Sequence, residues 1–353
     1  MKLVTINPQK STTMGGVETL IRSLHSLFEC KNLELFECKN YELFEHLPST
    51  EHYSESGYVK YLHYGKQSKY KTKLNQVNRI KELNLTSQDV VVLFHPNDLL
   101  YLPRKVRENS KVVLVQTNKF DVYFKPFSKL LMSFLHQYID VFSVYTEQDK
   151  KALLALFPKF QHKVKIIPRG CKIETAVNQP KLSKKLVTVA RIDEGQKNFT
   201  GMVDVLARLP EAYSLDIYGD GTSEELDRLR ELIANNDKIT FKGSTNDVAS
   251  VLRDYALFIM TSHYEGFGQT LIEARSQGLP VVVFNTFDAL PWIVEDGVNG
   301  YKVEVGNCAL FADRIVEICE NDVLFNQLSS NSLDKAKETE ISVVNRLWQE
   351  AIA

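Results

Sequence analysis

Long apolar runs are missing from this sequence of 353 residues. Nothing approaches the roughly 18 consecutive apolar residues that a membrane-spanning helix requires. The start, Met1-Lys-Leu-Val-Thr-Ile6, reads as a strand and lacks the layout of a secretory signal. Cysteine is scarce: Cys30, Cys38, Cys171, Cys308 and Cys319, with no C-x-x-C spacing. An odd count without that spacing argues against a disulfide framework or a zinc site, and for reduced thiols in a cytosolic compartment. No two Asp are separated by a single residue, so a D-x-D metal site is absent. No G-x-G-x-x-G follows the first strand, which removes a dinucleotide-dependent oxidoreductase. No nucleic-acid-binding motif accompanies the basic stretches, and no nucleic-acid partner is expected.

The length suits two domains, and a hydrophobic content of 44% can fill two cores. Short β-branched runs alternate with helical patterns. In the first half strands are predicted near Leu3–Asn7, Val90–His95, Val112–Thr117, Val141–Thr146 and Val164–Pro168. In the second half they are predicted near Leu186–Ala190, Leu215–Tyr218, Ile239–Lys242, Leu257–Thr261, Val281–Phe284 and Tyr301–Val303. Strand–helix alternation of this kind implies α/β domains with parallel sheets and helices on both faces. Pro168-Arg-Gly170 reads as the hinge, giving domains at 1–169 and 170–339 with a terminal helix at about 340–353. That helix places Val344, Leu347, Trp348, Ala351 and Ile352 on one face.

The net charge of −1 conceals an asymmetry. Residues 1–170 hold 25 Lys and Arg against 16 Asp and Glu, a balance of +9; the rest hold 18 against 28, a balance of −10. Lys60, Lys66, Lys69, Lys71, Lys73, Arg79 and Lys81 are interleaved with Tyr58, Tyr61, Tyr64 and Tyr70. This stretch reads either as a surface for anionic lipid or an anionic glycan, or as a solvated basic face. Lys125–Tyr138 carries Phe127, Leu130, Leu131, Phe134, Leu135 and Tyr138 at helical spacing. A core-facing helix is favoured there over a membrane-facing one. A tandem repeat of period eight covers residues 27–45 and has no assigned function.

The densest chemistry lies in Glu265-Gly-Phe-Gly-Gln-Thr-Leu-Ile-Glu273. The apolar run Leu257–Met260 precedes it as a strand, and the helix it opens is stopped by Gly278 and Pro280. In an open α/β sheet ligands bind beyond the carboxyl ends of strands. Gly266 and Gly268 permit close backbone approach, and the helix start favours an anion. With Glu265 and Glu273 flanking that seat, a ligand with phosphate in its middle and hydroxyls at both ends fits: a nucleotide sugar.

Glu265 and Glu273, eight apart around Gly-Phe-Gly, resemble the E-x7-E signature of retaining GT4-type glycosyltransferases of GT-B fold. Gly15-Gly-Val-Glu18, Ala190-Arg-Ile-Asp-Glu-Gly-Gln-Lys-Asn198, Ile217-Tyr-Gly-Asp-Gly221 and Asp296-Gly-Val-Asn-Gly-Tyr301 also resemble landmarks of that family. The resemblance implies two Rossmann-like domains facing each other across a cleft, with the C-terminal helix crossing back to the N-terminal domain. It implies transfer of a hexosyl or N-acetylhexosaminyl unit, without metal or other cofactor, from a nucleotide-diphosphate sugar, UDP-linked by expectation. The acceptor would be a bacterial surface glycan or a lipid-linked molecule. A cytoplasmic protein with peripheral contact at the inner face of the membrane is expected. Arg191 and Lys197 would meet the diphosphate, Glu265 the sugar and Glu273 the ribose. Gly15, Gly16, Gly219, Gly243, Gly266, Phe267, Gly268, Gln269, Thr270 and Leu271 would line the donor. His95, after the strand from Val90, would orient hydroxyls or relay a proton. The spacing Arg191 to Lys197 is one residue longer than the family's, so either the loop bulges or Lys197 sits slightly off the family's place. Two alternatives stay open: the same fold using GDP-mannose, and a catalytically silent subunit that stabilises a partner.

Overall fold

The computed structural model describes all residues except 14, 30–38, 49, 66 and 67, together with the side chain of Lys69. The middle of the tandem repeat, with Cys30 and Cys38, lies outside the described residues, as does Lys66.

Runs such as Val90-Val-Val-Leu93 and Val281-Val-Val-Phe284 are apolar on both faces, the pattern of strands covered on both sides by helices. They assemble into two all-parallel sheets. The first contains β1 (Lys2–Gln9), β2 (Lys39–His46), β3 (Val59–His63), β4 (Val90–Leu93), β5 (Lys111–Val115), β6 (Val141–Val144) and β7 (Val164–Ile166), in the order 3-2-1-4-5-6-7. The second contains β8 (Lys185–Val189), β9 (Ser214–Tyr218), β10 (Ile239–Gly243), β11 (Leu257–Met260), β12 (Val281–Phe284) and β13 (Gly300–Val303), in the order 10-9-8-11-12-13. Each order reverses direction once, between β1 and β4 and between β8 and β11. Those reversals are the switch points at which doubly wound sheets bind ligands.

The chain divides into two compact units, Met1–Pro168 with Asn345–Ala353, and Arg169–Val344. The first changeover falls at the start of the Pro168–Gly170 segment. The last helix, Ile341–Ile352, begins in the second unit and ends in the first. Its Val344, Trp348, Ala351 and Ile352 are buried.

Two readings of the first unit need correction. Of the basic, tyrosine-interleaved stretch from Tyr58 to Lys81, Val59–His63 forms the edge strand β3, and Tyr64 beyond it packs in the core. Edge strands keep polar side chains because one border is uncovered, so their pattern does not announce a strand. Lys73 is likewise no free surface charge: its ammonium lies 3.4 Å from Asp98, 3.7 Å from Glu45 and over the Tyr101 ring. The stripe at Lys125–Tyr138 splits in two. The helix Pro126–Leu135 buries Leu131 and Met132, but Phe127, Leu130 and Phe134 are 57%, 59% and 69% exposed. Its apolar arc is wider than the one face the core can take.

Candidate functional site

Beyond β8 the chain makes one helical turn, Glu194–Lys197, capped by the Asp193 side chain. Asn198 then takes a left-handed backbone with φ 55°. It ends this turn and caps the next helix, Phe199–Leu206, accepting from the Gly201 N–H at 3.0 Å and donating to the Thr261 carbonyl. The longer spacing between Arg191 and Lys197 lies before this joint, in the segment that holds the turn Glu194–Lys197. Asn tolerates the left-handed region because its short amide bonds locally.

The loop after β11 is laced to that turn. The Thr261 hydroxyl donates to the Lys197 and Asn198 carbonyls, and the His263 N–H to the Gln196 carbonyl at 2.8 Å. Lys197 Nζ consequently reaches Glu265 Oε1 at 2.6 Å, both side chains largely buried. Arg191 does not join them. Its guanidinium is mostly exposed and bonds Asp193 at 3.2 Å and Gln196 at 2.7 Å.

Gly268 starts the helix Gln269–Ser276 in the left-handed region, φ 91°, and a Cβ there would stand 2.9 Å from the Phe287 ring. Only glycine fits both demands. Phe267 is buried beside Trp292 and Leu271 is fully buried, so both side chains belong to the core. A ligand could meet only their backbone. Thr270 is half-buried on the first turn. Gln269 donates to the Gly170 carbonyl at 3.2 Å and to Glu273 at 3.4 Å. Burial pushes the Glu273 carboxyl up to about 7, with the Gln269 bond opposing it. No cation pairs with it among the described residues, and beyond the Gln269 bond the carboxylate can accept further hydrogen bonds.

Gly219 closes a different gap. A Cβ on it would lie 1.8 Å from the Ala190 carbonyl oxygen, so glycine lets the end of β9 press against the end of β8. Gly243 closes β10 with φ 77°, and its carbonyl accepts from the Gly219 N–H at 2.9 Å. The structure thus gathers Lys197, Glu265, Gly266, Phe267, Gly268, Gln269 and Glu273 around one switch point, with Arg191 on its rim.

At the switch point of the first unit, Gly15 precedes the helix Gly16–Leu27. A Cβ on Gly15 would strike the Glu18 carboxylate, which folds back over it and also accepts from Asn7 at 3.0 Å. His95 follows β4 and caps the turn Pro96–Tyr101, its Nδ1 accepting from the Asn97 N–H at 3.2 Å. That bond leaves Nε2 to carry the proton, so the neutral ring presents a donor outward. Desolvation lowers the His95 pKa; Asp98 raises it, and Lys73 and Lys125 lower it. Asp98 is itself raised by burial despite Lys73.

Several charged partners near β1 and β2 escaped sequence reasoning. Lys10 is buried and pairs with the exposed Glu51 and Glu55, and Arg22 stacks on Tyr53 at 3.7 Å. Glu42 is fully buried, accepts from Ser11, and is pushed up to about 7 by burial. These residues are scattered in sequence, and no spacing betrays them. Glu42 sits in a strand that also carries Lys39, Asn40, Glu45 and His46, so its burial left no signal in the sequence.

Two parallel Rossmann-like sheets of seven and six strands define the GT-B architecture. Residues 183–321 match the family model described as Glycosyl transferases group 1. The lipopolysaccharide outer core galactosyltransferase WaaB superposes with a TM-score of 0.77 over 100% of this chain and 99% of that one, at 19% identity. Anabaena Alr3699/HepE in complex with UDP gives 0.78, covering 99% of both chains at 16% identity. In sequence, the chain is 28% identical over 301 residues to the UDP-N-acetylglucosamine–peptide N-acetylglucosaminyltransferase GtfA subunit of Streptococcus gordonii, covering 76% of this chain and 57% of that protein. The chain spans about half the length of the curated relatives it matches first. These likenesses show the GT-B fold for the chain and a match to the group 1 glycosyltransferase model for residues 183–321.

Proposed function

We propose that the protein is a retaining, metal-independent glycosyltransferase that moves a hexosyl or N-acetylhexosaminyl unit from a UDP-sugar to a surface-glycan or lipid-linked acceptor. The observation that carries this reading is the Lys197–Glu265 pair at 2.6 Å, set between the β8 and β11 loops beside the Gly268 helix start. The relatives support it through their names: one uses UDP-N-acetylglucosamine, one is bound to UDP, one builds lipopolysaccharide.

In this reading the nucleotide lies over the second unit's switch point. Glu273 accepts hydrogen bonds from ribose hydroxyls. The N–H groups at the start of the helix from Gln269 and the Lys197 ammonium stabilise charge growing on the departing diphosphate. Arg191 swings from Asp193 to join them; its exposed ion pair is worth little and releases it readily. Glu265 faces the positive charge growing on the sugar ring. The bond from the anomeric carbon to phosphate breaks, the bond to the acceptor oxygen forms on the same face, and the acceptor proton passes to the leaving phosphate oxygen. His95 donates from Nε2 to a hydroxyl and is not needed as a base.

Thermal shift with UDP, GDP and ADP, followed by turnover of the matching sugars with and without EDTA, tests the proposal. UDP should raise the melting temperature most, and EDTA should leave turnover unchanged. Preference for GDP would move the donor to GDP-mannose. Nucleotide binding without turnover would point to the silent subunit.

A further inference from the structure

We propose that the cleft at the amino-terminal edge of the first sheet is a carbohydrate-binding site separate from the reaction site. This inference goes beyond the donor chemistry and does not rest on it. The cleft holds about 560 Å³, inside the range of roughly 300–1,000 Å³ usual for ligand pockets. Its walls come from segments that lead into strands. Lys111 opens β5 and Asp140 directly precedes β6. Arg107, Glu108 and Ser110 lie at the end of the helix Arg104–Asn109 and just beyond it. His95 stands at the other edge, past the carboxyl end of β4, and the length of that strand, roughly 13 Å, separates the two.

Polar groups lining this cleft lack partners. Ser110 is 5% exposed, and its hydroxyl bonds nothing among the described residues. The Arg107 Nε–H is buried and equally unpaired. Buried polar atoms of this kind call for a water, an ion or a ligand. The Arg107 guanidinium stands 5.3 Å from the centre of the Tyr138 ring. Neither Arg107 nor Lys111 forms an ion pair among the described residues, although Glu108 and Asp140 line the same cleft. Glu108 pairs with Arg104 at 2.8 Å, and Asp140 accepts from the Val112 N–H at 2.7 Å. Each of these contacts uses one carboxylate oxygen, so the other can still accept.

The mixture of charges decides the ligand. Arg107 and Lys111 share one space with Glu108 and Asp140, so the lining charges cancel. An anion would be drawn by the first two and repelled by the second two. A sugar hydroxyl both donates and accepts, so it can use both kinds of neighbour. Adjacent hydroxyls can accept from the planar fork of Arg107 while donating to Asp140. The Ser110 hydroxyl gains a partner at the same time. Tyr138 is partly buried and offers a ring surface against which the C–H face of a pyranose packs. The ligand class is therefore a neutral, hydroxyl-rich saccharide. Held at this edge it is out of reach of the reacting groups, so the site retains a saccharide and does not transform it.

The test uses the full chain and saturation-transfer NMR with disaccharides of glucose, galactose and N-acetylglucosamine, each recorded with and without excess UDP. At least one disaccharide should receive saturation from the protein, to the same extent whether or not UDP is present. Arg107→Ala should weaken that binding at least about tenfold, roughly 1.4 kcal/mol, and leave UDP binding at its wild-type value. Ser110→Ala removes a hydroxyl that bonds nothing among the described residues, so its melting temperature should match wild type while saccharide binding falls. Inorganic phosphate should not displace the saccharide. The proposal is overturned if none of the disaccharides binds, or if both variants bind them like wild type. It is equally overturned if excess UDP abolishes the binding, or if phosphate displaces the saccharide, which would make the cleft an anion site.

Discussion

Lys197 and Glu265 are each the other's only charge partner among the described residues, and both are largely buried. Removing one side of such a pair leaves an uncompensated charge, which destabilises by about 3–5 kcal/mol. Lys197→Ala and Glu265→Gln should each lower the melting temperature, and the double variant should recover part of the loss. A thermal double-mutant cycle that returns additive losses would show that the pair does not act as a unit. Catalysis should respond differently. In the proposed mechanism Glu265→Gln lowers kcat/KM at least about tenfold, roughly 1.4 kcal/mol of transition-state stabilisation, and the double variant does not regain it. The pair thus has two readouts that part company.

Two glycines test the packing of the elements that frame the site. Gly219→Ala forces a methyl into the Ala190 carbonyl and should pry β9 from β8 at their ends. Gly268→Ala adds a clash with Phe287 to a left-handed backbone, a strain of about 1–3 kcal/mol before the clash is counted. Both variants should melt lower than wild type; equal melting would mean the loops relax freely. The sequence made these elements legible unevenly. Strands buried on both faces, such as Val90–Leu93 and Val281–Phe284, stood out because every residue is apolar. β3 did not, since Lys60 and Tyr61 sit at an uncovered edge. The site loop around Glu265 was readable because glycines and carboxylates fall at fixed spacing along one turn. Its bond to Lys197 was not, since it depends on how two loops 68 residues apart are laced. The outward half of Pro126–Leu135 was misread because periodicity reports that residues share a face, never which way the face looks.

At the scale of the whole chain, the C-terminal residues 345–353 group with the first unit although residues 169–344 intervene. Trp348 is buried at 3% exposure and its indole N–H has no acceptor among the described residues. Trp348→Ala should therefore destabilise by about 3–5 kcal/mol through the cavity it leaves. Trp348→Phe should be tolerated far better, because the N–H it discards has no acceptor among the described residues. Urea denaturation of the two variants separates these outcomes, and equal losses would show that the indole is needed for something other than filling space.

Glu273 makes the proposed donor site a proton exchanger. Burial pushes its carboxyl up to about 7, so the group titrates near neutrality rather than in the usual carboxylate range. Ribose hydroxyls donating to it would favour the charged form and lower that pKa, expelling the proton as nucleotide arrives. The sign follows: UDP should bind more tightly as pH climbs from 5.5 towards 8, and level off above. Titration calorimetry at pH 7 in buffers of unlike ionisation heat should show an apparent enthalpy that tracks the buffer, with a fraction of a proton released per nucleotide. Glu273→Gln should erase that dependence. An enthalpy indifferent to buffer in the native protein would mean that the nucleotide never touches this carboxylate.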